Sequence, residues 1–267
     1  MVSPRLLLTN HHVLRSKADA VHSEIEFDYQ YDRNGRLLPV VTYGLEPDKF
    51  FLTNQTLDYT LVAVRERSVD DRVDLKLYGW SRLIADQGKA MLGEALNIIQ
   101  HPKGEAKQLV LRKNELIDLP DENFAHYVAD TEPGSSGSPV YNDQWEVVAL
   151  HHSGVPRMKN GKYIARDGSV WNGSDPDDID WIANEGIRVS SMVRDIKNQT
   201  LDAAQRKLRD ELLDTAPPHP LEAARLAADA SAAQPPAASA TPAPAPAIAS
   251  FEAVIQSIAT GSTVRLQ

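Results

Sequence analysis

Short apolar runs, broken again and again by turn residues, narrow most sharply what this chain can fold into. Residues 21–29 alternate apolar and polar side chains, the pattern of a strand with one face buried. Arg33-Asn34-Gly35-Arg36 is a hairpin signal, and residues 37–43 read as the strand that returns from it. Residues 57–64 are rich in β-branched and aromatic side chains. Further short strands are expected at 2–8, 95–100, 108–111, 126–129, 140–141, 145–151 and 186–189, with His101-Pro102-Lys103-Gly104 stopping one of them. So many brief strands predict an all-β barrel or sandwich.

Helices are expected only after the last strand. Ser190 is placed to cap one that runs through Met192, Val193 and Ile196. A second, from about Thr200, sets Leu201, Ala204, Leu208 and Leu212 on one face. Residues 215–250 then change character, holding 8 of the chain's 17 prolines, many alanines and few charges. That composition predicts a linker. Residues 251–267 regain an apolar pattern but are too few for a domain, and read either as a docking element for a partner module or as the start of a further module.

Composition removes several function classes. Acidic residues outnumber basic ones, 37 to 28, and no long basic run exists, so a general nucleic-acid role is not expected. With no cysteine there are no disulfides or thiolate metal sites, which fits a reducing compartment. Leu6-Leu7-Leu8 is too short for a signal-peptide core, and no stretch reaches membrane-span length. A cytoplasmic protein without a membrane role is therefore expected. His11-His12 and His151-His152 are adjacent pairs rather than helix-face ligand spacings, so no metal or other cofactor is expected.

The chemistry concentrates in Gly134-Ser135-Ser136-Gly137-Ser138-Pro139. Gly134 and Gly137 permit backbone conformations that a Cβ disfavours. Such a turn can present Ser136 while aiming the N–H groups of Gly134 and Ser136 at one point, as an oxyanion hole requires. A serine hydroxyl needs a base, and the base an orienting group. His11 and His12 close the first strand, where a side chain can reach a cleft, while His101, His126 and His219 sit in ordinary contexts. Asp58, at the head of an apolar strand where aspartate is disfavoured, is the candidate orienter.

Taken together, Leu8-Thr9-Asn10-His11-His12-Val13, Asp58-Tyr59-Thr60-Leu61-Val62 and Gly134 to Pro139 resemble the trypsin-like serine peptidases of the chymotrypsin fold. The order is histidine, aspartate, serine, spaced by 46 and 78 residues (12 to 58, 58 to 136). The Ser-Gly-Ser-Pro-Val ending is most similar to the bacterial glutamyl endopeptidase branch. The resemblance implies His12, Asp58 and Ser136 as a catalytic triad acting through an acyl-enzyme on a peptide or protein substrate. It implies that the segment from Ala149 to Pro156, with Gly154, lines the primary pocket and pairs with substrate backbone. In the glutamyl branch Thr131 and His151 would receive an acidic P1 side chain. Asp130 stands open as the rival determinant, for a basic one. His152 reads as a residue packed in the pocket wall.

The resemblance also implies an architecture. Residues 1–198 form the peptidase domain, with one antiparallel six-stranded-type barrel over 1–80 and a second over 92–189. A helix follows at 199–214, then the linker at 215–250 and the tail at 251–267. Relatives carry strand segments before the equivalent of Val2-Ser3-Pro4. The first barrel is therefore expected to be incomplete, with an open edge, or else the natural start lies upstream. An incomplete barrel also keeps a second function in view, a catalytically weak module that binds peptides or partner proteins.

Overall fold

The computed structural model describes residues 1–111, 114–218 and the backbone of 264–266. The expected linker at 215–250 and most of the tail lie largely outside them. The all-β reading with helices only near the C-terminal end holds, apart from one turn-and-a-half of helix near the start. In the first half of the chain the elements are β1 (Leu6–Thr9), α1 (Lys17–Val21), β2 (Ser23–Phe27), β3 (Val41–Gly44), β4 (Phe51–Asn54) and β5 (Tyr59–Ala63). The second half has β6 (Asn97–Gln100), β7 (Gln108–Val110), β8 (Leu116–Asp118), β9 (Phe124–Tyr127), β10 (Pro139–Tyr141) and β11 (Val147–Pro156). A small hairpin of β12 (Met158–Lys159) and β13 (Lys162–Tyr163) follows, then β14 (Trp181–Arg188), α2 (Val189–Asn198), α3 (Ala203–Asp214) and, at the far end, β15 (Val264–Leu266).

The second half is one curled antiparallel sheet ordered β7-β6-β10-β11-β14-β9-β8. It curls far enough to meet itself. Ala95, at the entry to β6, bridges to Glu115 ahead of β8. Leu96 N–H donates to the Asn114 carbonyl at 2.8 Å, and Leu116 N–H to that of Glu94 at 3.0 Å. Six strands thus form a closed ring from which β7 projects. Its interior is filled by Leu96, Ile98, Leu116, Ala125, Tyr127, Val140 and Ala149, supplied in alternation by the strands around the ring.

The first half is built differently. Its strands form two three-stranded sheets, β1-β5-β4 and β15-β2-β3, joined by a bridge between Leu45 and Val64. Among the described residues no strand joins β1 to β2, so the two small sheets stay open toward each other there. Between these strands lies a cavity of about 190 Å³ bordered by Leu7, Leu8, Ile25 and Phe27, with Ser136 and Gly137 in its wall. The tail backbone at Val264–Leu266 runs parallel to β2, in register with Ser23, Glu24 and Ile25.

The halves and the helices share the largest core. Leu6, Leu8, Tyr59 and Leu61 from the first half meet Tyr141, Leu150 and Ile187 from the second and Met192, Val193 and Ile196 from α2. One capping expectation needs correction. Ser190 lies inside α2 because β14 runs straight into that helix, leaving Arg188 at the N-cap with no side-chain capping bond. The cap of α3 is Asp202, whose side chain accepts from Gln205 N–H in a capping box. On the apolar face of α3, Leu212 is buried while Ala204 is exposed.

Candidate active site

Ser136 sits at the end of a turn forced by its two glycines. Gly134 has φ +100° and Gly137 φ +84°, both in the left-handed region. Space is tight for a side chain as well. A Cβ on Gly134 would stand 3.1 Å from the His101 carbonyl oxygen, and one on Gly137 would stand 2.9 Å from Thr9 Oγ1. The turn is pinned to the sheet by Gly137 N–H donating to the His151 carbonyl and His151 N–H donating to that of Ser138, each at 2.9 Å. Neither the Gly134 nor the Ser136 N–H donates to another described residue.

His12 follows β1, and Asp58 precedes β5, the strand paired with β1. Sheet register therefore brings together two residues 46 apart in sequence. Asp58 itself adopts φ +44°, which turns its carboxylate back toward β1. Its Oδ1 accepts the His12 backbone N–H at 2.9 Å, and its Oδ2 lies 2.7 Å from His12 Nδ1. On the other side of the ring, His12 Nε2 is 3.0 Å from Ser136 Oγ, across 124 residues of sequence. His11 turns away, its Nδ1 2.8 Å from Thr53 Oγ1.

Burial alone would raise the Asp58 carboxyl. Hydrogen bonds from the rings of His12 and His152 and from the His12 N–H outweigh it and hold the group well below the usual carboxylate range. The second ring was expected only to fill the pocket wall. Instead His152 Nδ1 lies 3.1 Å from Asp58 Oδ2, and its Nε2 2.9 Å from Glu185 Oε1. Glu185 Oε2 is in turn 2.7 Å from His126 Nε2. Burial would lower the His152 pKa, but the two carboxylates push it up to about 9.

His151, the next residue, has the opposite surroundings. Its side chain is buried, and Nδ1 is 2.7 Å from the hydroxyl of Tyr127 inside the barrel. Burial, with the neighbouring His152 and His12, pushes it down to about 4, so the ring is neutral at ordinary pH. Thr131 Oγ1 donates to Asn184 Oδ1, and Asn184 Nδ2 to the Ala129 carbonyl at 2.7 Å. Asp130 is exposed, and its backbone carbonyl accepts from Gln100 Nε2 at 2.9 Å. Gly154 lies under the ring of Trp181; an added Cβ would come within 2.7 Å of it. Residues 151–154, 130–131 and 184–185 thus lie on neighbouring strands and loops beside Ser136. Among the described residues no group of acids and histidines is arranged to hold a metal ion, and no helix is long and apolar enough to cross a membrane.

Residues 1–150, more than half of the chain, match the family profile described as the trypsin-like peptidase domain. The chain belongs to the trypsin-like peptidase family. It is also 38% identical over 231 residues, 80% of its own length, to the uncharacterized protein y4fB of Sinorhizobium fredii. A second relative, the secreted RxLR effector protein 73 of Plasmopara viticola, is 27% identical over 187 residues, or 62% of this chain. The chain spans only 34% and 43% of the lengths of these two relatives. Among solved structures it is similar to a Glu endopeptidase, with TM-score 0.41 and 14% identity over 80% of this chain and 84% of that one. It is likewise similar to the Ser343Ala mutant of Rv3671c from M. tuberculosis, with TM-score 0.43 and 13% identity over 76% and 82%. The match identifies the fold as that of the serine peptidases.

Proposed function

We propose that this trypsin-like peptidase is an active serine endopeptidase with Ser136 as nucleophile, His12 as base and Asp58 as orienter. One observation carries the reading. A single imidazole spans the carboxylate at 2.7 Å and the hydroxyl at 3.0 Å, although the three groups come from distant parts of the chain. Asp58 accepts the Nδ1–H of His12, which leaves the Nε2 lone pair facing Ser136. In the reaction Ser136 Oγ attacks the scissile carbonyl carbon as its proton passes to His12 Nε2. The carbonyl oxygen becomes an oxyanion held by the N–H groups of Gly134 and Ser136, which donate to no other described residue. Collapse breaks the C–N bond, with the His12 proton going to the leaving amine. Water, deprotonated by His12, then releases the acyl group from Ser136.

The reading extends to an acidic P1 side chain. If the Tyr127 hydroxyl donates to His151 Nδ1, the proton of the neutral ring resides on Nε2, where it can donate to a carboxylate. Thr131 supplies a hydroxyl on the adjoining loop. Asp130, the determinant that would favour a basic P1, is exposed and has no described side-chain bond. Cleavage of a peptide library by the wild-type chain tests both statements. Cleavage after Glu or Asp, absent in Ser136→Ala, is expected. Cleavage confined to Lys or Arg would remove the acidic reading, and no cleavage at all would count against the enzyme.

A further inference from the structure

The scheme above uses one face of Asp58, yet its carboxylate is held from two sides. We propose that His152 is a positioning residue: an imidazolium clamped between Asp58 and Glu185 that fixes the carboxylate of Asp58 against His12. This rests on the serine peptidase reading and extends it.

The geometry defines the ring's state. Its two nitrogens face carboxylate oxygens at 3.1 Å and 2.9 Å. Ionised carboxylates only accept, so both nitrogens must donate, which only the doubly protonated ring can do. The sheet is shaped to make this contact. The pairing of β11 with β14 slips between His151 and Ser153, so His152 is the extra residue of a β-bulge. A bulge redirects a side chain that regular alternation would send elsewhere. Phe124 stacks against the ring, with centroids 5.6 Å apart and planes 19° off parallel. Glu185 is anchored in its turn by His126, the residue opposite it in the pairing of β14 with β9.

All of these supports belong to the closed second half, whereas Asp58 belongs to the open first half. Charged and titratable groups reach the ring from each side. Asp58 comes from the turn before β5 with His12 beyond it, Glu185 from β14 with His126 behind it on β9, and His151 adjoins it on β11. Through the clamp, the half that presents the nucleophile also sets the position of the orienter. A catalytic group misplaced by about 1 Å costs on the order of 100-fold in rate.

The test uses the wild-type chain, His152→Phe, which keeps the stack but removes both donors, and Glu185→Gln. Wild-type cleavage is measured first; its absence would fail the peptidase reading rather than this one. In His152→Phe, kcat is expected to fall about 10- to 100-fold with KM within roughly 2-fold of wild type. The acidic limb of kcat/KM should move to higher pH, because the cation that shared the charge of Asp58 is gone. A purely structural residue would lower yield without moving that limb. In Glu185→Gln the clamp loses one anion, and activity should acquire an alkaline decline at lower pH than in wild type. Wild-type rates and an unmoved limb in His152→Phe would overturn the proposal. Imidazole ¹H–¹⁵N spectra of the wild-type protein decide it even if a variant fails to fold or the chain is inactive. Both ring N–H groups of His152 are expected at pH 7.5, and a ring with only one would overturn the clamp.

Discussion

The two halves of this peptidase domain solve the problem of a sheet edge in opposite ways. The second half turns its sheet back on itself at Ala95 and Glu115 and fills the ring with its own side chains. Among the described residues, the first leaves β1 without a strand partner on one side and keeps a cavity there, with Ser136 in its wall. Ser136 is thus carried by the self-sufficient half, and His12 and Asp58 by the dependent one. The difference teaches that precision in the first half is lent to it. Part comes from the shared core under α2. Part comes from Asp195 of α2, whose Oδ2 accepts from Asn54 Nδ2 at 2.9 Å and from the buried Tyr59 hydroxyl at 2.5 Å. Tyr59 directly follows Asp58, so this tie holds the start of β5 in place.

Breaking the chemistry across the halves should produce the largest effect. Asp58→Asn keeps the shape but removes the charge that sets the tautomer of His12, and kcat is expected to fall by about 10⁴-fold. Stopped-assay kinetics on a cleaved peptide measure it, and a loss below about 10-fold would remove Asp58 from the mechanism. Next in size is damage inside the closed barrel. Ile98→Ala leaves a cavity in the ring interior and should cost about 2–5 kcal/mol of stability, read by urea unfolding, with kcat/KM of the folded fraction unchanged. Asp195→Ala should invert that balance. Three donors, on Asn54, Tyr59 and Gln199, lose their acceptor, a cost of about 1–3 kcal/mol for the first, part-buried pair, while kcat falls more than it does in Ile98→Ala. Equal activity in the two variants would mean that the first half does not lean on α2.

The smallest effect comes from the adjacent histidines. His152, raised to about 9, contributes stability that is complete below its ordinary value of 6.5 and is lost as pH rises through about 9. His151, lowered to about 4, acts the other way. Below 6.5 the unfolded chain takes up a proton that the folded chain refuses, so stability falls as pH drops toward 4. Each contribution is on the order of 1–3 kcal/mol. Thermal scans across pH should therefore peak near 6.5, and His152→Phe should flatten the alkaline side most, while softening the acid side slightly because His152 helps to hold the His151 pKa down.

How much of this was legible in the sequence depended on the range of the signal. The serine turn is local, and its glycines announce the positive φ angles that the fold uses. The strand of Tyr59–Ala63 declares itself by composition and is buried at every position. By contrast β4 is half-buried throughout, without alternation, and β8 has three residues, so neither carries a pattern to read. The clamp on Asp58 was invisible for a different reason. His152 meets Asp58 across 94 residues and Glu185 across 33, contacts set by strand register and by a bulge that no local motif marks. His126 looked ordinary in sequence because its partner is supplied by β14. Ser190 misled because a strand running directly into a helix leaves no room for a separate cap.

The proposed reaction requires His12 to activate Ser136 across the junction of the halves. Intact-mass analysis after fluorophosphonate treatment tests this directly, in the wild type, Ser136→Ala and His12→Ala. A single adduct is predicted on the wild type, mapped to Ser136, absent in Ser136→Ala and slowed by orders of magnitude in His12→Ala. An unlabelled wild type, or an adduct that survives Ser136→Ala, would contradict it.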